Sequence, residues 1–368
     1  MITLGVEEEY LLLDPARGVP VARSARVRAL AGGEVGAELL RSQVEVATPV
    51  CADLAAVGTH LARLRRVAGA AAVAAGCRVA MTGAVPFAGP DPVPVTDEPR
   101  YRALAADTPR LIHEHAINGM HVHVAVPGRK AGVDALNRVR PWLPVLVAMG
   151  ANSPLADGRE TGFASWRTLV FGRWPVSGPP PVFAGAEDYE RRVAALLASG
   201  VVRGRNQLYW QARLSDRYPT LEVRAVDVQL RVDEAVMFAG LARALVVTAL
   251  REGAAGVPVP GVPQELLLAV GWGAARWGLD GEVLDPVGGR VRPVAEVVGT
   301  LLAYVGPALA AAGDLERVTG SVRRLLREGT GAGRQRRALA AGGAGALVDL
   351  LTGSPVGADG GGGEVEDP

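Results

Sequence analysis

Four short segments of this chain alternate apolar residues with residues that can hold a cation, a proton or a phosphate. They are Gly5-Val6-Glu7-Glu8-Glu9-Tyr10, Ser42-Gln43-Val44-Glu45-Val46-Ala47, Gly119-Met120-His121-Val122-His123-Val124 and Thr220-Leu221-Glu222-Val223-Arg224. Side chains two apart on a strand share a face, roughly 6–7 Å apart along it. Glu7 therefore goes with Glu9, Glu45 with Gln43, His121 with His123 and Glu222 with Arg224, with the valines and leucines behind. If the four strands lie in one sheet, one face carries four carboxylates, two imidazoles and an arginine. Gathered carboxylates repel, and they stay ionised cheaply only with cations among them. Oxygen ligands with histidine in a borderline position indicate Mg²⁺ or Mn²⁺. Zinc fits less well, because there is no HExxH and neither cysteine accompanies the histidines. Magnesium held this way usually shares substrate phosphates, which suggests ATP. One acidic pair or one HVH is an ordinary solvated or satisfied strand face. The weight rests on four strands repeating the pattern, and Glu8, pointing away, is assigned at best a structural role.

These residues need strands, and the strands need helices behind them. The pattern predicts strands at 2–14, 43–49, 78–84, 120–126, 206–214 and 220–227. Asp53 caps a predicted helix reaching about Gly76, with Leu54, Val57, Leu61, Leu64 and Ala68 on its apolar stripe and Arg63, Arg65 and Arg66 off it. Further helices are expected at 133–149 (interrupted by Pro141 and Pro144), 187–198 and 233–251, with a mainly helical part from 257 to about 352. Residues 86–99 and 152–181 read as loops, the second long enough to be functional. The Gly-rich acidic tail 353–368 is expected to be disordered. Strands in neighbouring pairs without strict βαβ alternation favour an α+β fold with a mostly antiparallel sheet.

Composition removes alternatives. The 368 residues carry 39 basic and 38 acidic groups, a net charge of +1, so nothing draws the chain electrostatically to nucleic acid or an anionic membrane. Lys130 is the only lysine and there is no GxxxxGK[ST], so phosphate must be handled by arginine and metal. Cys51 and Cys77 form no CxxC and read as small buried residues in a reducing, cytoplasmic setting. The acidic N-terminus is unlike a signal peptide, and the Ala-rich run 67–76 is too short to span a bilayer.

LGVEEEYLLLD, QVEVATPV, GMHVHVAVP, ANSPLADGRETGFASWRT and YPTLEVRAVDV, followed by GTGAGRQR at 329–336, resemble in this order the bacterial carboxylate–amine ligases of the glutamate–cysteine ligase type 2 family. More distantly, GVEEEY, GMHVH and EVRAVD resemble strands of glutamine synthetase. The resemblance implies a curved antiparallel sheet forming a funnel, helices outside, and one ligase domain over 1–352. It implies that Glu7, Glu9, Glu45, His121 and Glu222 ligate divalent cations between the ATP phosphates and a substrate carboxylate. Arg224 is then expected at the phosphate, and Arg159 and Arg167 at a substrate carboxylate. One departure stands out. Gln211 follows Trp210 where relatives carry an acidic residue, which bears on acceptor choice or metal occupancy.

The implied reaction joins a carboxylate, the γ-carboxylate of glutamate, to an amine, cysteine by family, through an acyl phosphate. Phosphoryl transfer needs positioning and charge neutralisation, so no nucleophilic cysteine or serine is required. The base for the amine is open, with His123 a candidate. Two rivals stay open on sequence. One is a guanidino-type phosphotransferase, for which Cys51 would be the thiol to examine. The other is a non-catalytic nucleotide or amino-acid sensor. Partners are expected to be small molecules, and a homodimer is compatible with all of this.

Overall fold

The computed structural model describes residues 2–89 and 92–353, so the expectation for the tail lies, from residue 354 onward, outside the described residues. At its centre is a seven-stranded sheet. Its strands are β1 (Leu4–Leu13), β2 (Gly36–Ala37), β3 (Gln43–Ala47), β4 (Arg78–Ala80), β5 (Gly119–Ala125), β6 (Ala212–Leu214) and β7 (Thr220–Asp227). Their order is β6-β7-β5-β1-β3-β2, with β4 pairing Leu11–Leu13 of β1, and every pairing is antiparallel. The four chemistry-bearing segments are thus four adjacent strands of one sheet.

Period-two alternation gives each strand one apolar face. Val6, Val122, Val124, Leu221 and Val223 point into one core with the helices Arg129–Val139, Leu143–Met149 and Val232–Ala254. Tyr10, Leu12, Val44 and Val46 point into a second core against the helix Leu54–Ala74. That helix starts where expected, with Asp53 Oδ1 accepting from Ala56 N at 2.8 Å. Leu54, Val57, Leu61 and Leu64 are buried, each contributing about 1.5–3 kcal/mol. Arg65, off the apolar stripe, is buried all the same. It is 8% exposed and enters the second core to meet Glu8.

The pairing of β7 with β5 slips between Val223 and Val226. Val223 faces Val122 and Val226 faces Met120, so β7 spends one extra residue there, a β-bulge. Other differences from the sequence pattern have local causes. Residues 81–84 leave the sheet because Met81 N bonds Leu351 O and Gly83 N bonds Asn152 O. The stretch 206–214 breaks into a turn of 3₁₀ helix, the pair Tyr209–Trp210 running parallel to Ser177–Gly178, and β6. The proline-rich loop ends in a helix, Pro99–Asp107, that starts on its last proline. Beyond 257 a hairpin, Glu282–Asp285 with Arg290–Pro293, interrupts the helices, and Asp285 Oδ1 accepts from Val287 N and Gly288 N at its turn. The helix Val294–Ala311 is long and apolar enough to cross a membrane, but Val294, Val297, Val298, Leu301, Val305 and Leu309 are core residues.

Candidate active site

The polar faces of β3, β1, β5 and β7 converge. Glu9 lies opposite Glu45, Glu7 opposite His121, and Glu222 opposite His123. His121 Nδ1 is 3.3 Å from Glu7 and 3.7 Å from Glu222, and its Nε2 is 3.6 Å from Glu9. His123 Nε2 is 3.4 Å from Glu7 and 3.9 Å from Glu222, while its Nδ1 is 3.0 Å from Thr220 Oγ1. Three overlapping ligand sets result: Glu7–His123–Glu222, Glu7–Glu45–His121 and Glu9–Glu38–Glu45. In each, the donor atoms lie within 4.8 Å of one another. Of the expected metal ligands, Glu7, Glu9, Glu45, His121 and Glu222 all come together, and His123 joins them.

The charges are unevenly answered. Burial raises Glu222, but Arg224, Arg213 and the histidines outweigh it and hold its carboxyl well below the usual range. Arg213 Nε donates to Glu222 at 2.8 Å, and Arg224 also pairs with it. Burial likewise raises Glu7, and the imidazoles of His121 and His123 beside it outweigh burial and hold its carboxyl well below the usual range. Glu45 and Glu38 have no ion pair among the described residues. Burial and mutual repulsion push Glu45 well above the usual range, and burial with the charge on Glu9 pushes Glu38 up to about 8. Carboxylates displaced upward beside others displaced downward form a site short of positive charge.

That shortage tests whether divalent cations fit. The Nε2 atoms of His121 and His123 are buried without a hydrogen-bond partner among the described residues. Burial and Arg224 lower the pKa of His121 and keep it neutral, the form that binds metal. Hard oxygens with imidazole suit Mg²⁺ or Mn²⁺, so the residues fit the group.

Long-range hydrogen bonds brace the sheet from the motifs around it. Asp227 Oδ2 accepts from Asn152 N and Ser153 Oγ, and Oδ1 from Ser165 Oγ, which ties the 152–168 loop to the end of β7. Gln335 bonds Asn152 from the helix Gly331–Thr352, which explains the GTGAGRQR segment as a brace. Glycine at 119 lets the Arg167 guanidinium lie against β5, where a Cβ would come within 2.2 Å of its Nη2 and displace it. The Gly119 N–H donates to Glu9 at 2.5 Å. Arg167 is buried at 3% exposure and lines a cavity of about 80 Å³ beside the carboxylates, together with Arg224, Glu9 and Glu38. Arg159 is not brought in. It is exposed on a two-residue strand that pairs with Leu155–Ala156, and it touches none of the clustered carboxylates. Cys51 lies in the apolar core with its thiol toward Pro49 O, on the wrong face for chemistry here.

Sequence reasoning missed Glu38, Arg213, His115 and Tyr209. Glu38 lies seven residues before Glu45, just after the short β2 whose Gly36 pairs with Glu45, a signal too weak to read without the pairing. Arg213 shares a face with Gln211, two residues before it. Gln211 itself is buried, with Oε1 lacking a partner among the described residues.

Antiparallel strands that gather carboxylates and imidazoles on one face, with arginines at its edge, form a candidate site for divalent cations and phosphate. Residues 3–352 match the glutamate-cysteine ligase family 2 (GCS2), and the chain belongs to that family. It is 45% identical over 343 residues to the Nocardia farcinica protein named "Putative glutamate--cysteine ligase 2-1", covering 92% of this chain and 89% of that one. It is 46% identical over 339 residues to "Putative glutamate--cysteine ligase 2-2" of Mycolicibacterium vanbaalenii, covering 91% and 93%. Its fold is similar to that of a Francisella tularensis glutamate–cysteine ligase solved with AMP (TM-score 0.72, 12% identity, 95% of this chain and 87% of that one). It is also similar in fold to a bifunctional glutathione synthetase from Pasteurella multocida (TM-score 0.65, 16% identity, 95% and 51%).

Proposed function

We propose that this chain is an ATP-dependent carboxylate–amine ligase acting on glutamate and an amine, with cysteine the amine its relatives' names indicate. The observation that carries the reading is the set of three overlapping carboxylate–imidazole clusters on one sheet face, in a member of this family. Glu7, Glu9, Glu45, His121 and Glu222 would hold Mg²⁺ or Mn²⁺, with His123 a sixth ligand rather than a free base. When bound, the cations neutralise the ATP phosphates and polarise the transferring phosphoryl group.

The chain's own groups do the rest. A γ-carboxylate oxygen of glutamate attacks the γ-phosphorus of ATP. The new O–P bond forms as the bond to ADP breaks. Arg224, buried and with Nε unpartnered among the described residues, faces the charge that builds on the phosphoryl oxygens. The amine nitrogen then attacks the acyl carbon, the C–O bond to phosphate breaks, and the nitrogen loses a proton. The catalytic unit spans residues 1–352, and the two free buried cysteines accord with the cytoplasm.

The deciding experiment incubates the protein with Mg²⁺, labelled ATP and pairs of acids and amines, and follows ADP and amide together. Amide formed in step with ADP supports the ligase. Phosphate moved onto a guanidine without amide would support the phosphotransferase instead. No ADP from any pair would leave a sensor.

A further inference from the structure

The cavity beside the carboxylates is lined by a histidine that no step above uses. His115 Nδ1 accepts a hydrogen bond from Trp174 Nε1 at 2.8 Å. An indole N–H can only donate, so Nδ1 must carry the lone pair and Nε2 the proton. The ring is fixed by Phe171, stacked at 6.0 Å between centroids, and by Trp174, edge-on at 5.1 Å. His115 is therefore a neutral donor with one N–H left, on the wall of a cavity of about 80 Å³.

The same wall carries Arg167 and Arg224, 3% and 8% exposed, whose Nε atoms have no partner among the described residues. Glu38 and Glu9 line the same cavity. The cavity thus offers both hydrogen-bond donors and carboxylates. A small group with both charges, such as the α-carboxylate and α-ammonium of an amino acid, answers both at once.

We infer that this cavity seats the zwitterionic head of the amino-acid substrate, with His115 and Arg167 donating to its α-carboxylate and Glu38 accepting from its α-ammonium. The assignment rests on the ligase reading above and makes Trp174 a positioning residue. It requires an α-amino acid as the acid component, with the reacting carboxylate reaching away from the cavity toward the metal ligands.

The test compares three acids that keep the reacting carboxylate: glutamate, glutarate without the ammonium, and 4-aminobutyrate without the α-carboxylate. Each is followed by Mg²⁺-dependent ADP release and by calorimetric binding. The wild type should prefer glutamate to both by about tenfold or more, the size expected for hydrogen bonds to charged groups. His115→Leu should reduce the glutamate to 4-aminobutyrate ratio about tenfold and leave the glutamate to glutarate ratio in place. His115→Gln, which keeps an N–H near the Nε2 position, should restore most of it. Trp174→Phe should lower the same ratio by a smaller factor, and Glu38→Gln only the other ratio. Equal handling of the three acids by the wild type, or an equal loss in both ratios from His115→Leu, would overturn the assignment. If no acid gives ADP, the ligase reading fails separately, and calorimetry on the same three acids still decides the cavity.

Discussion

Three glutamates follow one another on β1, and the pleat sends them to opposite sides. Glu8 is fully buried among helices and has its answer built in. Arg65 Nε donates to Oε2 at 2.9 Å and Arg65 Nη2 to Oε1 at 2.5 Å, while Tyr10 Oη donates at 2.6 Å. Glu7 and Glu9 look the other way, at histidines and further carboxylates. The side that keeps the fold supplies its own counter-charge. The other side, proposed to do the chemistry, pairs Glu222 with two arginines but leaves Glu38 and Glu45 without an ion pair among the described residues.

The largest effect that tests this contrast is on the open side. Glu222→Gln should cut ATP-dependent amide formation about a thousandfold, roughly 4 kcal/mol of barrier, with the circular dichroism and cooperative melt kept. Ligation at the wild-type rate would remove the open side from the chemistry. On the closed side, Glu8→Ala strands a buried Arg65 and should lower stability by about 3–5 kcal/mol in urea titrations. Replacing both partners by Leu and Met should recover much of that loss, whereas a pair that stabilises in its own right would not allow it.

A smaller effect comes from pH. Glu38, raised to about 8 from an ordinary 4.5, holds a proton in the folded protein that the unfolded chain releases, and Glu45 is shifted the same way. Their contribution is present below about pH 4.5 and is lost as pH rises toward 8. Glu7 and Glu222, shifted down, act oppositely and lose theirs only as pH falls below the ordinary value. With chelator, melting temperatures should therefore decline from about pH 6.5 toward 8, above the range in which the lowered His115 and His121 act oppositely, and Mg²⁺ should flatten the decline. A chelated profile with no slope would mean the carboxylates are already compensated. Smallest of all, Arg159→Ala should leave KM within about twofold and stability within about 0.5 kcal/mol, because its side chain lies exposed away from the cluster.

Much of the site was legible because strand alternation is strict. Glu7, Glu9, Glu45, His121, His123 and Glu222 each lie on a regular stretch, where a period of two decides the face. Position along a loop carries no such rule. Arg159 and Arg167 lie in one motif and read alike, yet helix Trp166–Phe171 buries one while a tight turn exposes the other. Arg65 sits off the apolar stripe of its helix, and only the position of Glu8 on the next layer explains its burial. Glu38 and His115 come from short irregular stretches and gain meaning through partners, β3 for one and Trp174 for the other. Pairings between distant segments leave no periodic trace in a single sequence.

The extra residue between Val223 and Val226 sets the phase of everything after it. Upstream, even-numbered residues of β7 serve the catalytic face; downstream, odd-numbered Asp227 returns to that face and Val226 stays in the oil. Deleting the bulged residue would restore plain alternation and leave Val226 opposite Met120 and Asp227 opposite Gly119, whereas deleting Val226 would turn Asp227 toward the core and release Asn152, Ser153 and Ser165 together. The bulge lets one strand carry Glu222 on an even position and Asp227 on an odd one, both on the same face.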